Sequence, residues 1–391
     1  MIRLGDLFDF KNGRSFKKTE WKQTGLPIIR IQNLNNEDAP FNYFDDEYDS
    51  SIEVNRDDLL FSWSGTVGSS FGPHIWNRGK AVLNQHIFRL TFKKEMEKKY
   101  AFYSLLFITA EIERSVVGAV GLVHVTKKSL NEFQIPLPPI PEQQRIVAIL
   151  DQAFADIEKA RANAEKNLKN ARELFDSYLN QVFSQRGEGW VEYSLKDIVT
   201  LKSGTTVKKE LEKTAGDIAY IKVSGMSLEG NEKEITTAKT FLNGTEINSS
   251  NVLPVGTTIF PKRGGAIATN KKRITAIPLC VDLNTMGVIP KKAFILPLYL
   301  YFFFKTFDLL SISNGTTIPQ INNYSLDDLK LSVPDIETQE TLIKRLTQIE
   351  TSTDDLSFKY EQKLESLDEL KKSLLQKAFS GELTKTEGHA A

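Results

Sequence analysis

The longest stretch with a single periodicity runs from Pro141 to Gln185. Ile146, Leu150, Ala153, Ile157, Ala160, Ala164, Leu168, Ala171, Phe175, Tyr178 and Val182 recur at steps of four and three with one four-four stutter, the spacing of a coiled-coil seam. Glu158, Lys159, Arg161, Glu165, Lys166, Lys169, Arg172 and Glu173 fill the positions between them and keep the other faces wet. The pattern predicts a helix of about 45 residues, roughly 67 Å long at 1.5 Å per residue. An apolar stripe on such a rod requires a partner helix. Before it, Ile135-Pro136-Leu137-Pro138-Pro139-Ile140-Pro141 reads as a stiff, extended connector, because each residue that precedes a proline is pushed out of the helical region.

The partner lies in the same chain. A shift of 196 positions lays Leu168 on Leu364, Leu174 on Leu370, Ser177 on Ser373, Leu179 on Leu375 and Phe183 on Phe379, with Gln143 on Gln339 at the entries. Earlier landmarks repeat with slightly different offsets: Leu4-Gly5-Asp6-Leu7 against Leu195-Lys196-Asp197-Ile198, Lys11-Asn12-Gly13 against Lys202-Ser203-Gly204, and Ile29-Arg30-Ile31 against Ile221-Lys222-Val223. The chain is therefore an internal repeat of a module and a rod. In each module, short apolar runs such as Ile28 to Ile31, Leu59 to Trp63 and Ile87 to Leu90 are punctuated by glycine, asparagine and proline turns, the pattern of an α+β domain. Tyr100 to Ser115 has helical spacing and is expected to pack on the first module's sheet, and Ala293 to Leu310 reads as a buried helix. The expected division is module 1 over 1–138, a first rod over 139–186, module 2 over 187–333, a second rod over 334–383 and a tail over 384–391. Asp335 is placed to cap the second rod and Gly381 to end it. Gln143, Ile146, Leu150, Ile157, Leu168, Phe175, Leu342, Leu346, Leu356, Leu364 and Leu374 are the candidates for helix pairing and subunit docking.

Charge narrows the picture. Fifty basic and fifty acidic residues cancel, so any nucleic-acid footprint must be local. The lone cysteine, Cys280, sits in a strand-like run, which excludes a disulfide framework and suits a reducing cytoplasm. Met1-Ile2-Arg3-Leu4-Gly5-Asp6 has no secretory pattern, and no membrane span is expected.

Catalytic constellations are missing. Gly79-Lys80 is followed by Ala81 rather than Ser or Thr, Gly118-Ala119-Val120-Gly121 has the spacing of a turn rather than of a dinucleotide fingerprint, and no Asn-Pro-Pro-aromatic motif of amino-methyltransferases occurs. His74, His86, His124 and His389 lack partners at metal-ligand spacing. Neither catalysis nor a bound cofactor or metal is expected. The remaining signals are those of binding. Lys262, Arg263, Lys271, Lys272 and Arg273 surround Gly264-Gly265, where backbone and cations could approach a phosphate chain. The first module's counterpart, Ser62-Trp63-Ser64-Gly65-Thr66-Val67-Gly68, carries hydroxyls and an aromatic instead. Arg14, Lys17, Lys18, Asn84 and Gln85 add side chains able to bond base edges or phosphates. For each set the competing reading is a solvated loop.

Two such modules, each followed by a seam helix, resemble the specificity subunit of a Type I restriction-modification system. The resemblance is carried by Pro136-Leu137-Pro138-Pro139-Ile140-Pro141-Glu142-Gln143-Gln144-Arg145-Ile146, by the helix ends Ser177 to Ser184 and Ser373 to Leu383, and more weakly by Leu4 to Gly13 and Asp58 to Gly68. It implies two target-recognition domains, each reading half of a split, asymmetric site in double-stranded DNA. It also implies paired antiparallel long helices in a pseudo-two-fold arrangement, serving as spacer and as docking surface for two methyltransferase subunits. Restriction-translocase subunits would add outside these, and S-adenosylmethionine, ATP and magnesium would belong to those partners. The alternatives are the recognition module of a stand-alone DNA methyltransferase, against which the missing cofactor motif counts, and a coiled-coil scaffold unrelated to DNA.

Overall fold

The structure, a computed structural model, describes residues 1–36, 38–65, 70–115, 123–315, 318–327 and 329–385. Thr66-Val67-Gly68, the Gly118 to Gly121 turn and His389 lie outside the described residues. The chain forms two compact units, one of Met1–Glu165 with Glu361–Ala391 and the other of Lys166–Tyr360. This division cuts through both long helices instead of separating modules from rods.

In the first unit, strands β1 (Phe8–Asn12), β2 (Leu59–Ser62), β3 (Gly72–Ile75) and β4 (Ile87–Phe92) form an antiparallel sheet in the order β1-β4-β2-β3. Every residue of β2 is buried, because the strand is covered on both faces. Leu59 and Phe61 face one core with Phe8, Phe10 and Leu90, while Leu60 faces a second core with Ile29, Val54 and Leu83. A smaller sheet, made from Leu26–Ile29, Asn42–Phe44, Glu53–Val54 and Ala81–Leu83, supplies that second core.

Helix α1 (Lys98–Ser115) lays Ala101, Leu105, Ile108 and Ile112 on the first core. Its other face gives Tyr100 and Tyr103 to a cluster with Ile146, Val147, Leu150, Phe154 and Ile157 of α2 (Ile140–Ser184). Leu375, Ala378 and Phe379 of the last long helix close the same cluster, with Leu374 at its margin. Arg161 pairs with Asp368, and Lys371 donates to Glu158 at 3.1 Å. Early residues of one helix thus meet late residues of the other, so the helices run antiparallel here.

The second unit repeats the plan. Strands β5 (Val199–Ser203), β6 (Thr258–Pro261), β7 (Arg273–Thr275) and β8 (Thr285–Pro290) lie in the order β5-β8-β6-β7, with Glu234–Ile235 added parallel at the edge. Strand β6 is again buried throughout, with Phe260 in one core and Ile259 in another. Cys280 is buried in the strand Leu279–Val281. Helix α3 (Pro297–Lys305) buries every residue from Tyr299 to Phe304, because it lies between two cores. Tyr299, Leu300, Phe303 and Phe304 face the sheet, whereas Tyr301 and Phe302 face Phe175, Leu179 and Val182 of α2 and Leu346 of α4 (Ile336–Ser380). Leu342 packs at the edge of both. Glu350 of α4, only 8% exposed, accepts from Lys305 at 2.7 Å and from Lys233.

Asp335 caps α4 by accepting from Thr338 N at 2.8 Å, a bond that holds its carboxyl below the usual carboxylate range. At the other end Gly381 has φ 77°, and the N–H groups of Glu382 and Leu383 both reach Lys377 O, a left-handed glycine stop.

Four pairing candidates depart from expectation. Leu168 and Leu364 are half-buried rather than core, and Leu356 is 41% exposed. Gln143 is buried, but toward its own module and not toward a partner helix. Val147, Phe154 and Leu179, outside the seam read from the sequence, are buried because a globular helix needs a wider stripe than a two-stranded seam.

Candidate nucleic-acid interface

At one end of the first sheet, three segments are stitched together by main-chain bonds. Gly13 N donates to Ile87 O at 3.2 Å, Arg14 N to Leu83 O at 3.1 Å and Gln85 N to Arg14 O at 2.9 Å. A Cβ on Gly13 would sit 2.2 Å from Asn84 O, so only glycine allows this approach. Trp63 N donates to His86 O at 3.0 Å, and the indole N–H donates to Asn12 Oδ1 at 3.1 Å. The indole packs 4.8 Å from the His86 ring and stacks 5.8 Å from Phe88. Ser64–Gly65 pairs antiparallel with Val123–His124. Arg14, Trp63, Ser64, Asn84 and Gln85 are thus brought together, with Lys17 and Lys18 exposed on the loop that follows Arg14.

Not all of these side chains are free to reach outward. Ser62 is fully buried and donates to Ser64 O at 3.0 Å, so it braces the turn and cannot read a groove. The Arg14 guanidinium lies 4.0 Å over the Phe16 ring and donates to Glu20 at 2.8 Å. Glu20 also accepts from Lys17 N, and that bond with Arg14 holds its carboxyl below the usual range. Asn84 Oδ1 accepts from Gln85 N, whereas the Gln85 side chain is exposed.

The second module repeats most of the scaffold's main-chain bonds. Gly204 N donates to Thr285 O at 3.0 Å, Thr205 N to Val281 O at 3.1 Å, Lys262 N to Asn284 O at 2.8 Å and Ile321 N to Lys262 O at 2.9 Å; the last corresponds to Val125 N to Trp63 O at 3.0 Å in the first module. Gly204 is as constrained as Gly13, since a Cβ would lie 2.0 Å from Asp282 O. Lys262 takes the place of Trp63, and Arg263, bridged to Gln320, takes that of Ser64. The Lys262 ammonium donates to Ser203 Oγ at 2.7 Å; partial burial, with Arg263 beside it, lowers its pKa. Lys271 donates to Ser227 Oγ at the surface.

Beside Arg263 stands a cluster that sequence reasoning missed. Asn314 donates to Tyr324 Oη at 2.9 Å and Ser325 Oγ at 3.0 Å, Asn322 to Tyr324 Oη at 3.1 Å, and Gln320 to Asn322 Oδ1 at 2.7 Å. Tyr324 is 63% exposed. Such amides present both donor and acceptor, the complement of an adenine edge.

Lys272 and Arg273 depart from the expected role of phosphate contacts. Lys272 is 5% exposed; its ammonium donates to Asn270 Oδ1 at 2.7 Å and to Phe307 O at 2.6 Å, and burial pushes its pKa down to about 8. Arg273 spends its guanidinium on the carbonyls of Met226, Asn231 and Lys272. Both pin the loop from inside. Among the described residues there is no cluster of histidine, cysteine and carboxylate able to hold a metal, and no helix is long and apolar enough to cross a membrane.

Strand-end scaffolds repeated with unlike side chains, each carried beside a long helix, make a doubled α+β fold that presents variable loops on a fixed frame. The chain belongs to the Type I restriction modification DNA specificity domain family, whose model matches residues 1–166 and 187–366. Its relatives include the Type I restriction enzyme EcoBI specificity subunit of Escherichia coli, 21% identical over 98% of this chain and 86% of that protein. The MjaVIII specificity subunit of Methanocaldococcus jannaschii is 25% identical over 98% and 92%. In three dimensions the chain is similar, at a TM-score of 0.74 and 18% identity, to one in a structure of type I R-M complex assembly and conformational transition, covering 98% and 97% of the two chains. The HsdS subunit from Thermoanaerobacter tengcongensis matches with a TM-score of 0.58 at 16% identity, over 98% and 96%.

Proposed function

We propose that this chain reads a split, asymmetric sequence in double-stranded DNA, each module taking one half through its strand-end loops. The observation that carries this reading is the pairing of a shared main-chain scaffold with different side chains. Asn12, Trp63 and Ser64 in one module stand where Ser203, Lys262 and Arg263 stand in the other. A fixed frame with variable tips is what two independent readers need. Trp63, Ser64, Gln85, Lys17 and Lys18 serve the first half-site, and Lys262, Arg263, Lys271, Gln320 and Asn322 the second.

The chain acts without chemistry of its own, as the recognition subunit of a cytoplasmic complex. Two methyltransferase subunits dock on the long helices, and restriction-translocase subunits join them. S-adenosylmethionine, ATP and magnesium are held by those partners. Leu174 and Phe358, 57% and 61% exposed on the long helices, support docking, since large apolar side chains left in water on a rod suit a protein partner.

The test is a module exchange. Residues 1–138 are replaced by those of a relative, and the sequences bound are selected from random duplexes in the presence of a methyltransferase partner. One half of the selected site should change while the other half and the gap stay fixed. Simultaneous change of both halves, or no selection of a split site by the parent chain, overturns the reading.

A further inference from the structure

Each long helix opens with a buried glutamine, and the two do the same thing. Gln143 Oε1 accepts from Glu97 N at 2.9 Å while its amide donates to Pro138 O at 2.8 Å. Gln339 Oε1 accepts from Leu296 N at 2.8 Å, and its amide donates to Pro334 O and Phe294 O, each at 2.9 Å. Glu97 and Leu296 are the residues immediately before α1 and α3. Pro138 and Pro334 lie in the connectors that enter α2 and α4. A single planar side chain therefore ties the start of the module helix to the start of the long helix, once in each unit.

A buried tyrosine repeats the tie one turn further on. Tyr100 Oη donates to Pro136 O at 3.0 Å, and Tyr299 Oη donates to Ser332 O at 3.2 Å. Both rings are fully buried, and burial raises the pKa of both phenols, so each remains a donor. Most surrounding contacts, such as Tyr103 on Phe154 and Phe302 on Phe175, are apolar or edge-on aromatic and fix distance better than angle; the polar ties of Tyr103 and Lys99 to Asp151, and of Lys305 to Glu350, lie further along the long helices and leave the entries to the glutamines. Hydrogen bonds in two directions from one amide fix the angle.

We propose that Gln143 with Tyr100, and Gln339 with Tyr299, are the joints that set the angle of each recognition module on its long helix. They are positioning residues for the gap between half-sites, an inference that rests on the two-half-site reading above. Loosening a joint lets its module swing, so DNA with the wrong gap is accepted while the bases preferred within each half stay the same.

Gln143→Met and Gln339→Met keep side-chain length and remove both polar ends; Tyr100→Phe and Tyr299→Phe remove one oxygen each and serve if the methionine variants fail to fold. Hydrogen exchange on the full chain should show weaker protection at Glu97 and Leu296 in the methionine variants. Affinities are then compared, with a methyltransferase partner present, on duplexes with the selected gap and with gaps one base pair longer or shorter. Discrimination between gaps should fall about tenfold or more as pre-organisation is removed. Unchanged exchange at Glu97 and Leu296 in the methionine variants, or in any folded variant gap discrimination equal to the parent's, overturns the proposal. A parent chain with no preference for split duplexes overturns the functional reading itself and the joint with it, and is told apart because it needs no variant.

Discussion

Replacing Gly204 by alanine should break the strand-end scaffold of the second module. The new Cβ would lie 2.0 Å from Asp282 O and 2.5 Å from Val281 O, whereas unstrained contacts of carbon begin at about 3.5 Å. Both obstacles are backbone oxygens and cannot rotate aside, so the segments must part by more than an ångström. That movement breaks Thr205 N to Val281 O and Gly204 N to Thr285 O, each contributing about 0.5–1.5 kcal/mol, and adds an overpacking cost of about 1–3 kcal/mol. The gain from a stiffer unfolded chain, about 0.4–1 kcal/mol, is too small to compensate. A net loss of about 2–5 kcal/mol should lower the melting temperature by roughly 5–15 °C. Scanning calorimetry of the full chain measures it, with Gly265→Ala as control because a Cβ there meets nothing within 4 Å. The same melting point for Gly204→Ala and Gly265→Ala would refute the steric account, and Gly13→Ala should behave as Gly204→Ala does.

Changing Lys262, Arg263 or Lys271 singly to alanine should reduce the slope of log affinity for DNA against log salt by about 0.9 for each phosphate no longer neutralised; Lys272→Ala and Arg273→Ala should leave the slope alone and lower stability instead. Lys272 has a folded pKa near 8, below its ordinary 10.5, so the folded chain releases this proton first and gains stability as pH rises from about 8 to 10.5. Denaturant unfolding across that window should show a gain of up to about 3 kcal/mol that Lys272→Met lacks. Leu150→Ala, at a fully buried position, should cost about 2–5 kcal/mol, while Leu356→Ala should stay within about 0.5 kcal/mol; equal destabilisation at the two sites in the same melts would contradict the packing described for α2 and α4.

The elements with a period were legible in the sequence itself. Ile146, Leu150 and Ile157 lie on a helical stripe whatever surrounds it, and Asp335 and Gly381 mark ends by local chemistry alone. The 196-residue offset also carried the doubling of Gln143 in Gln339. What it could not carry was direction: a glutamine at a helix start looks like a surface residue until the N–H just ahead of the module helix is seen to press against it. The basic run from Lys271 to Arg273 misled for a related reason. Consecutive cations carry no periodic signal, and whether Lys272 faces water or Phe307 O depends on the left-handed turn at Asn270 (φ 52°). Asn314, Gln320 and Asn322 escaped notice because an uncharged amide cluster has no signature until its hydrogen bonds are drawn.

The discontinuous make-up of the first unit sets the order in which the protein can be completed on the ribosome. Lys166–Tyr360 is one continuous stretch and can close as soon as it emerges, but the face of α2 that bears Ile146, Val147 and Leu150 waits for Leu375, Ala378 and Phe379. Glu158 and Lys371, which meet across that joint, are 213 positions apart, about 10–40 s of synthesis at 5–20 residues per second. For that interval a greasy stripe of the first long helix has only Tyr100 and Tyr103 of α1 to cover it. A nascent chain stalled before residue 361 should therefore carry one finished lobe and one sticky one, and the final turns of α4 act as the latch that makes the newborn protein safe from its neighbours.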